Sequence, residues 1–151
     1  MKKNILLFVT IIYVFLSASF SSACTVEQSL NTLALNIYFE ARGDGKEAMQ
    51  MVGEVTLNRV ESPNYPNSIC AVVYQPDQFS WTNDKDKIPH EKEAWEESLV
   101  MARELLNGTM IRYNNGATHF VSHHAKWQKW MAQFEKIGTF GTQTFYADGS
   151  V

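Results

Sequence analysis

The chain has 151 residues, 45% of them hydrophobic and 13% aromatic, with 13 Lys and Arg against 16 Asp and Glu. That length suffices for one domain with a real core. A net charge of −3 with no basic block argues against nucleic acid as a partner.

The chain starts Met1-Lys2-Lys3, a short basic stretch. Ile5 to Leu16 is an apolar run of signal-peptide length, short for a membrane span. Ser21 and Ala23 are small residues where a signal peptidase reads, so cleavage after Ala23 is expected; an uncleaved anchor is the alternative. The expected division is a signal peptide over 1–23 and one folded domain over 24–151. Losing Lys2 and Lys3 leaves 11 basic against 16 acidic residues, a net charge of −5. Cys24 and Cys70 both follow the cut. In an oxidising compartment an isolated pair reads as one disulfide. Cys24, as the first mature residue, is alternatively a lipid attachment point, although Ser21 stands where such signals usually have a Leu-like residue.

Thr25 with Gln28 is a capping-box pattern, so a helix is predicted from Val26 to about Ala41, with Gly43 able to take a left-handed position after it. Its apolar stripe is Leu30, Leu33, Ala34, Ile37 and Ala41. Asp44 with Glu47 repeats the capping pattern, and a second helix is predicted over about Gly45–Val60. Its stripe is Ala48, Met51, Val52 and Val55. Asn58 falls on the same face, where a buried amide must be fully hydrogen-bonded and is suited to pin a neighbouring loop. Glu47 and Glu54 read as a solvated face. Glu61 to Ser68 is turn-rich, and "ICAVVYQ" reads as one or two helical turns. "PDQFSWTNDKDKIP" is a long loop of the kind that is often functional. A third long helix is predicted from about His90 to Leu106, with Trp95, Leu99, Ala102 and Leu106 buried and Asn107-Gly108 as its stop. Ala117–Ser122 and Thr142–Ala147 read as strands, and "WQKWMAQFEKIG" between them is ambiguous between a short helix and a loop with a strand. Helices first and strands later make an α+β domain with about three main helices and a small antiparallel sheet.

Glu40 is the sharpest feature, because it lies on or beside the apolar stripe of the first helix. A charge there is costly unless it is paired or faces a cleft. It is either a structural partner of Arg42 or Arg59, or a working acid whose pKa burial raises. Asp77, Asp84 and Asp86 lie in the long loop, as turn formers or as a second carboxylate. His119, His123 and His124 lack a partner at metal-ligand spacing, so no metal or other cofactor is expected. His119 points away from Phe120 in a strand, so one of the two can face a cleft. Tyr38, Phe79, Trp81, Trp127, Trp130 and Tyr146 are core residues by default, but those in loops could stack on sugar rings.

"LALNIYFEARGDG", "VGEVTLNRVESPNYPNSICAVVYQPDQFSW" and "ATHF…W…IG…TFY" together resemble the cell-wall hydrolase family that includes spore cortex-lytic enzymes. The resemblance runs from about Cys24 to Tyr146. It implies a lysozyme-like catalytic domain over 24–151, secreted or periplasmic, that cleaves peptidoglycan glycan strands. It implies that Glu40 of E-A-R-G is the catalytic acid. Asn58 of L-N-R-V, Gln78, Phe79 and Ser80 of the cleft loop, and His119 match the family's pattern. Tyr38, Trp81 and Tyr146 join them as candidate substrate contacts. Two departures stand out: Asp44 where the family usually has Glu, and Gln143 where a His is usual. Peptidoglycan is the expected partner, met by a monomer that touches the membrane only through its signal peptide. Because one carboxylate is well placed and no second stands on a rigid element, the expected reaction is that of a lytic transglycosylase, an activity the resemblance also implies. A hydrolase using Asp77 or Asp84, a non-catalytic peptidoglycan-binding module and a metal-dependent amidase using the histidines are the alternatives.

Overall fold

The computed structural model describes residues 24–84 and 86–151; the expected signal segment, 1–23, lies outside the described residues. Helix α1 spans Val26–Ala41. Its start is the predicted capping box: Gln28 N donates to Thr25 Oγ1 at 3.1 Å, and Thr25 N donates to Gln28 Oε1 at 2.9 Å. Leu33, Ala34, Ile37 and Ala41 are fully buried, and Leu30 packs at the edge of the core. The helix ends as Arg42 turns extended and Gly43 takes φ +87°.

Helix α2 spans Lys46–Glu61 and buries Ala48, Met51, Val52 and Val55 as predicted. Its start differs from expectation. Gly45 is the cap residue and makes no side-chain bond, because the Asp44 carboxylate is taken by the Thr142 hydroxyl at 2.8 Å. Glu54 is a second correction. It is fully buried, and its carboxylate accepts from the Tyr113 backbone N–H at 2.9 and 3.0 Å and from Gln50 Nε2 at 2.8 Å. That satisfies the buried charge and fastens the segment before the sheet to α2.

Helix α3 is short, Ile69–Val73, and α4 spans Lys92–Asn107, closed by Gly108 in the left-handed region. The line α4 buries is Ser98, Met101, Ala102 and Leu105, while Trp95, Leu99 and Leu106 flank it half-buried. Gly53 explains the shift. A Cβ there would stand 2.5 Å from Leu105 Cδ1 and 3.1 Å from Ile37 Cδ1. The missing side chain on α2 is the space into which Leu105 and Ile37 pack, so α4 turns Leu105 rather than Leu106 inward. Each fully buried Leu, Ile or Val of this core contributes roughly 1.5–3 kcal/mol. A disulfide joins Cys24 to Cys70, with Cα atoms 5.8 Å apart, and ties the start of α1 to α3.

The sheet is antiparallel with order β1-β3-β2, where β1 is Ala117–Ser122, β2 Glu135–Phe140 and β3 Gln143–Ala147. The ambiguous stretch resolves into a 3₁₀ turn at Lys129–Ala132 followed by β2. Asn58 Nδ2 donates to Ala117 O at 2.8 Å, and Arg59 Nε donates to Thr118 O at 2.7 Å. These two bonds hang β1 on the end of α2, the pinning role read for Asn58. Three sixteen-residue helices with a small antiparallel sheet make the α+β architecture expected from the pattern.

The β2–β3 hairpin has a two-residue turn, Gly141-Thr142, with Gly141 at φ +56°. A Cβ on Gly141 would stand 2.6 Å from both Asp44 O and Asp44 Cβ. Gly141→Ala therefore combines left-handed strain with a backbone clash and should cost about 2–4 kcal/mol in urea unfolding. A variant as stable as the wild type would show that the tip does not rest on the α1–α2 loop.

Candidate active site

Glu40 lies in the last turn of α1, and its side chain opens into a groove of about 530 Å³. Arg59 of α2 shares that wall. Asp77, Gln78, Phe79, Ser80 and Asn83 line the groove from the long loop, and Phe120, Val121, Ser122 and Gln143 reach in from the sheet. Gln143 Nε2 donates to Glu40 O at 3.4 Å, so the hairpin is stitched to the α1 terminus.

Among the described residues no ion pair reaches the Glu40 carboxylate. Arg42 is committed to Glu91, with Nε 2.8 Å from Oε1, and lies over the Tyr38 ring at 4.7 Å. Burial pushes the Glu40 carboxyl above its ordinary pKa, while the positive charges of Lys87 and Arg59 pull in the other direction. The group is thus suited to hold a proton and to give it up inside the groove.

Gln78, Phe79 and Ser80 line the groove as expected. Phe79 is buried and supports it, its ring 6.2 Å from that of Phe120. Other candidates lie elsewhere. Tyr38 is fully buried, and its hydroxyl accepts from His90 N at 3.2 Å and Glu91 N at 3.1 Å, organising the entry to α4. Trp81 is buried, donates from its indole to Asn36 Oδ1 at 3.0 Å and stacks on Phe39. Asn58 is buried with both amide atoms engaged, its Oδ1 by Arg112. His119 and Tyr146 pair across β1 and β3 on the far face of the sheet, against Trp130. Phe120, not His119, faces the groove. A bulge between Ala117 and His119 sets that alternation, and strand pattern alone left the choice open.

Arg59, weighed in the sequence as a structural partner of Glu40, lines the groove, as do Asn83, Val121, Ser122 and Gln143, none of them proposed as substrate contacts. The signal for Arg59 was its place one residue after the buried Asn58. Asp77, weighed as a second carboxylate, does line the groove and sits at φ +62°, whereas Asp84 belongs to a separate hollow beside Trp81 and Lys87.

The family model described as Cell Wall Hydrolase matches residues 43–146. The chain belongs to the Cell Wall Hydrolase family. The match starts just after Glu40, so membership rests on α2, the groove loop and the sheet. The chain is 33% identical over 73 residues to a spore cortex-lytic enzyme of Bacillus subtilis (strain 168), covering 48% of this chain and 24% of that protein. It is 25% identical over 119 residues to a spore cortex-lytic enzyme of Halalkalibacterium halodurans, covering 79% of this chain and 34% of that protein. The chain thus spans a quarter to a third of the curated relatives it matches. Among solved structures, the catalytic domain of the germination-specific lytic transglycosylase SleB from Bacillus anthracis superposes with a TM-score of 0.65 at 23% identity, over 78% of this chain and 93% of that one. The catalytic domain of Bacillus cereus SleB gives 0.63 at 25% identity, over 78% and 88%. The lysozyme-like α+β expectation is the fold this cell wall hydrolase shares with them.

Proposed function

We propose that this cell wall hydrolase cleaves peptidoglycan glycan strands between muramic acid and glucosamine units, as a lytic transglycosylase with Glu40 acting as acid and then as base. The observation that carries the reading is a part-buried carboxyl, free of ion pairs among the described residues and raised in pKa, in the wall of an open groove. Family membership and the SleB-like fold support it. Protonated Glu40 gives its proton to the glycosidic oxygen as the bond to C1 breaks. The resulting carboxylate takes the proton of the muramic acid C6 hydroxyl, whose oxygen closes on C1. The product is a 1,6-anhydro end, and Glu40 is protonated again. Gln78 and Ser80 face the strand over the apolar support of Phe79 and Phe120.

Asp77 favours a second reading, because it is a carboxylate in the same groove. There it would activate water for ordinary hydrolysis. Weighing the muropeptides released from purified peptidoglycan separates the two. Anhydro ends, lighter by one water than reducing ends, are expected; reducing ends alone would move the role of base to Asp77. In the same reading the chain works outside the cytoplasm as a monomer, after removal of residues 1–23.

A further inference from the structure

Arg59 is a buried cation whose place the cleavage scheme does not yet use. It is 5% exposed and lines the groove with Glu40. Its Nε is fixed by Thr118 O at 2.7 Å, and its guanidinium lies over the rings of Tyr65 and Phe79 at 5.3 and 5.4 Å. The buried Nη1 has no hydrogen-bond partner among the described residues. A buried guanidinium is costly unless anions compensate it, and Asp148 and then Glu40 are the carboxylates whose charge favours its protonated form.

We propose that Arg59 is a positioning residue whose fixed positive charge stabilises the carboxylate that Glu40 becomes after giving up its proton. The inference rests on Glu40 being the acid. The charges in play are few. From α1, Arg42 is occupied by Glu91. Asp77 lines the same groove, and Lys87 approaches from the loop before α4. Around Arg59 itself stand Tyr65, Asp148 and His119, and Tyr65 donates to Asp148 Oδ2 at 3.3 Å. Lys87 is exposed and screened by water, whereas Arg59 is buried and lines the groove with Glu40.

The cleavage rate falls with rising pH as the acid loses its proton, and the position of that limb is the readout. Removing the cation with Arg59→Met, whose side chain suits the apolar slot between Tyr65 and Phe79, should move the limb up by about one unit. Arg59→Lys keeps the charge and should leave the limb near its wild-type position. A merely structural Arg59 would lower activity in both variants without moving the limb. Should Arg59→Met fail to fold, NMR of the wild type decides. The Arg59 guanidinium resonances should inflect at the pH of the limb and lose that inflection in Glu40→Gln. A limb that stays put in a folded Arg59→Met, or guanidinium signals that do not follow Glu40, overturns the proposal. Full turnover by Glu40→Gln would instead overturn the reading of Glu40.

Discussion

Glu40→Gln is expected to slow glycan-strand cleavage by about two orders of magnitude or more, with the fold intact. Gln keeps the size and polarity of the side chain but has no acidic proton to give and cannot become a carboxylate. Both halves of the proposed cycle are removed together. The stability side of the same variant has a definite sign. The folded-state pKa of Glu40 is raised, mainly by burial, so folding favours its protonated form. Its contribution is full at low pH and is lost as pH rises through that raised value. At neutral pH the wild type carries the cost of a part-buried carboxylate and the Gln variant does not. Glu40→Gln should therefore melt at or above the wild-type temperature at pH 7, with the difference closing in acid. Turnover assays and melts on one preparation check both statements. Turnover equal to wild type would make the groove a binding site rather than a catalytic one.

Breaking the Cys24–Cys70 bridge is the largest expected loss of stability. The bond spans a sequence separation of 46 residues. Chain-entropy arithmetic for such a loop gives about 4 kcal/mol. For a domain of this size that lowers the melting temperature by on the order of 10 °C or more. The bridge lies at the start of α1 and Glu40 at its end, so activity below the transition should survive reduction while the transition moves down. Melts with and without a reductant measure the effect. Coincident curves, or free thiols found by mass spectrometry of the untreated protein, would remove the bridge from the account.

Most of what could be read from the sequence was local. The Thr25–Gln28 cap involves residues three apart, and the bounds of α1 and β1 followed from such short-range signals. Several readings failed where the partner was distant, although the Cys24–Cys70 bridge and the hold of Asn58 on Ala117 were read from residue type alone. Asp44 has the sequence of a helix cap, but Thr142, 98 residues on, takes its carboxylate. Glu54 looks solvated on a helical wheel, and its partner is a backbone N–H at position 113, in a segment without periodicity. Tyr38 and Trp81 are aromatic residues near motif positions, which does not say which way they face. Both are turned inward by a polar tip that finds its bond inside, at the α4 entry for Tyr38 and at Asn36 for Trp81. Glu40 was legible because a charge on an apolar stripe is a local contradiction. The groove that explains it is assembled from five separated stretches and was not.

The hairpin tip has a consequence for how activity and folding relate. Gly141 and Thr142 rest on the α1–α2 loop, and Gln143 reaches the backbone of Glu40 from 103 residues away. The helices share one core with Ala117 of β1 and Phe145 of β3, and the disulfide joins the start of α1 to α3. Lifting the tip alone leaves Phe145 in that core and the β1–β3 ladder paired, yet it opens one side of the groove. Such partial opening lies well below global unfolding in free energy. Amide exchange can thus find the tip open while α1, α2 and the centre of β3 remain protected, and a protein in that state would pass as folded by its helical signal while one side of its groove is undone.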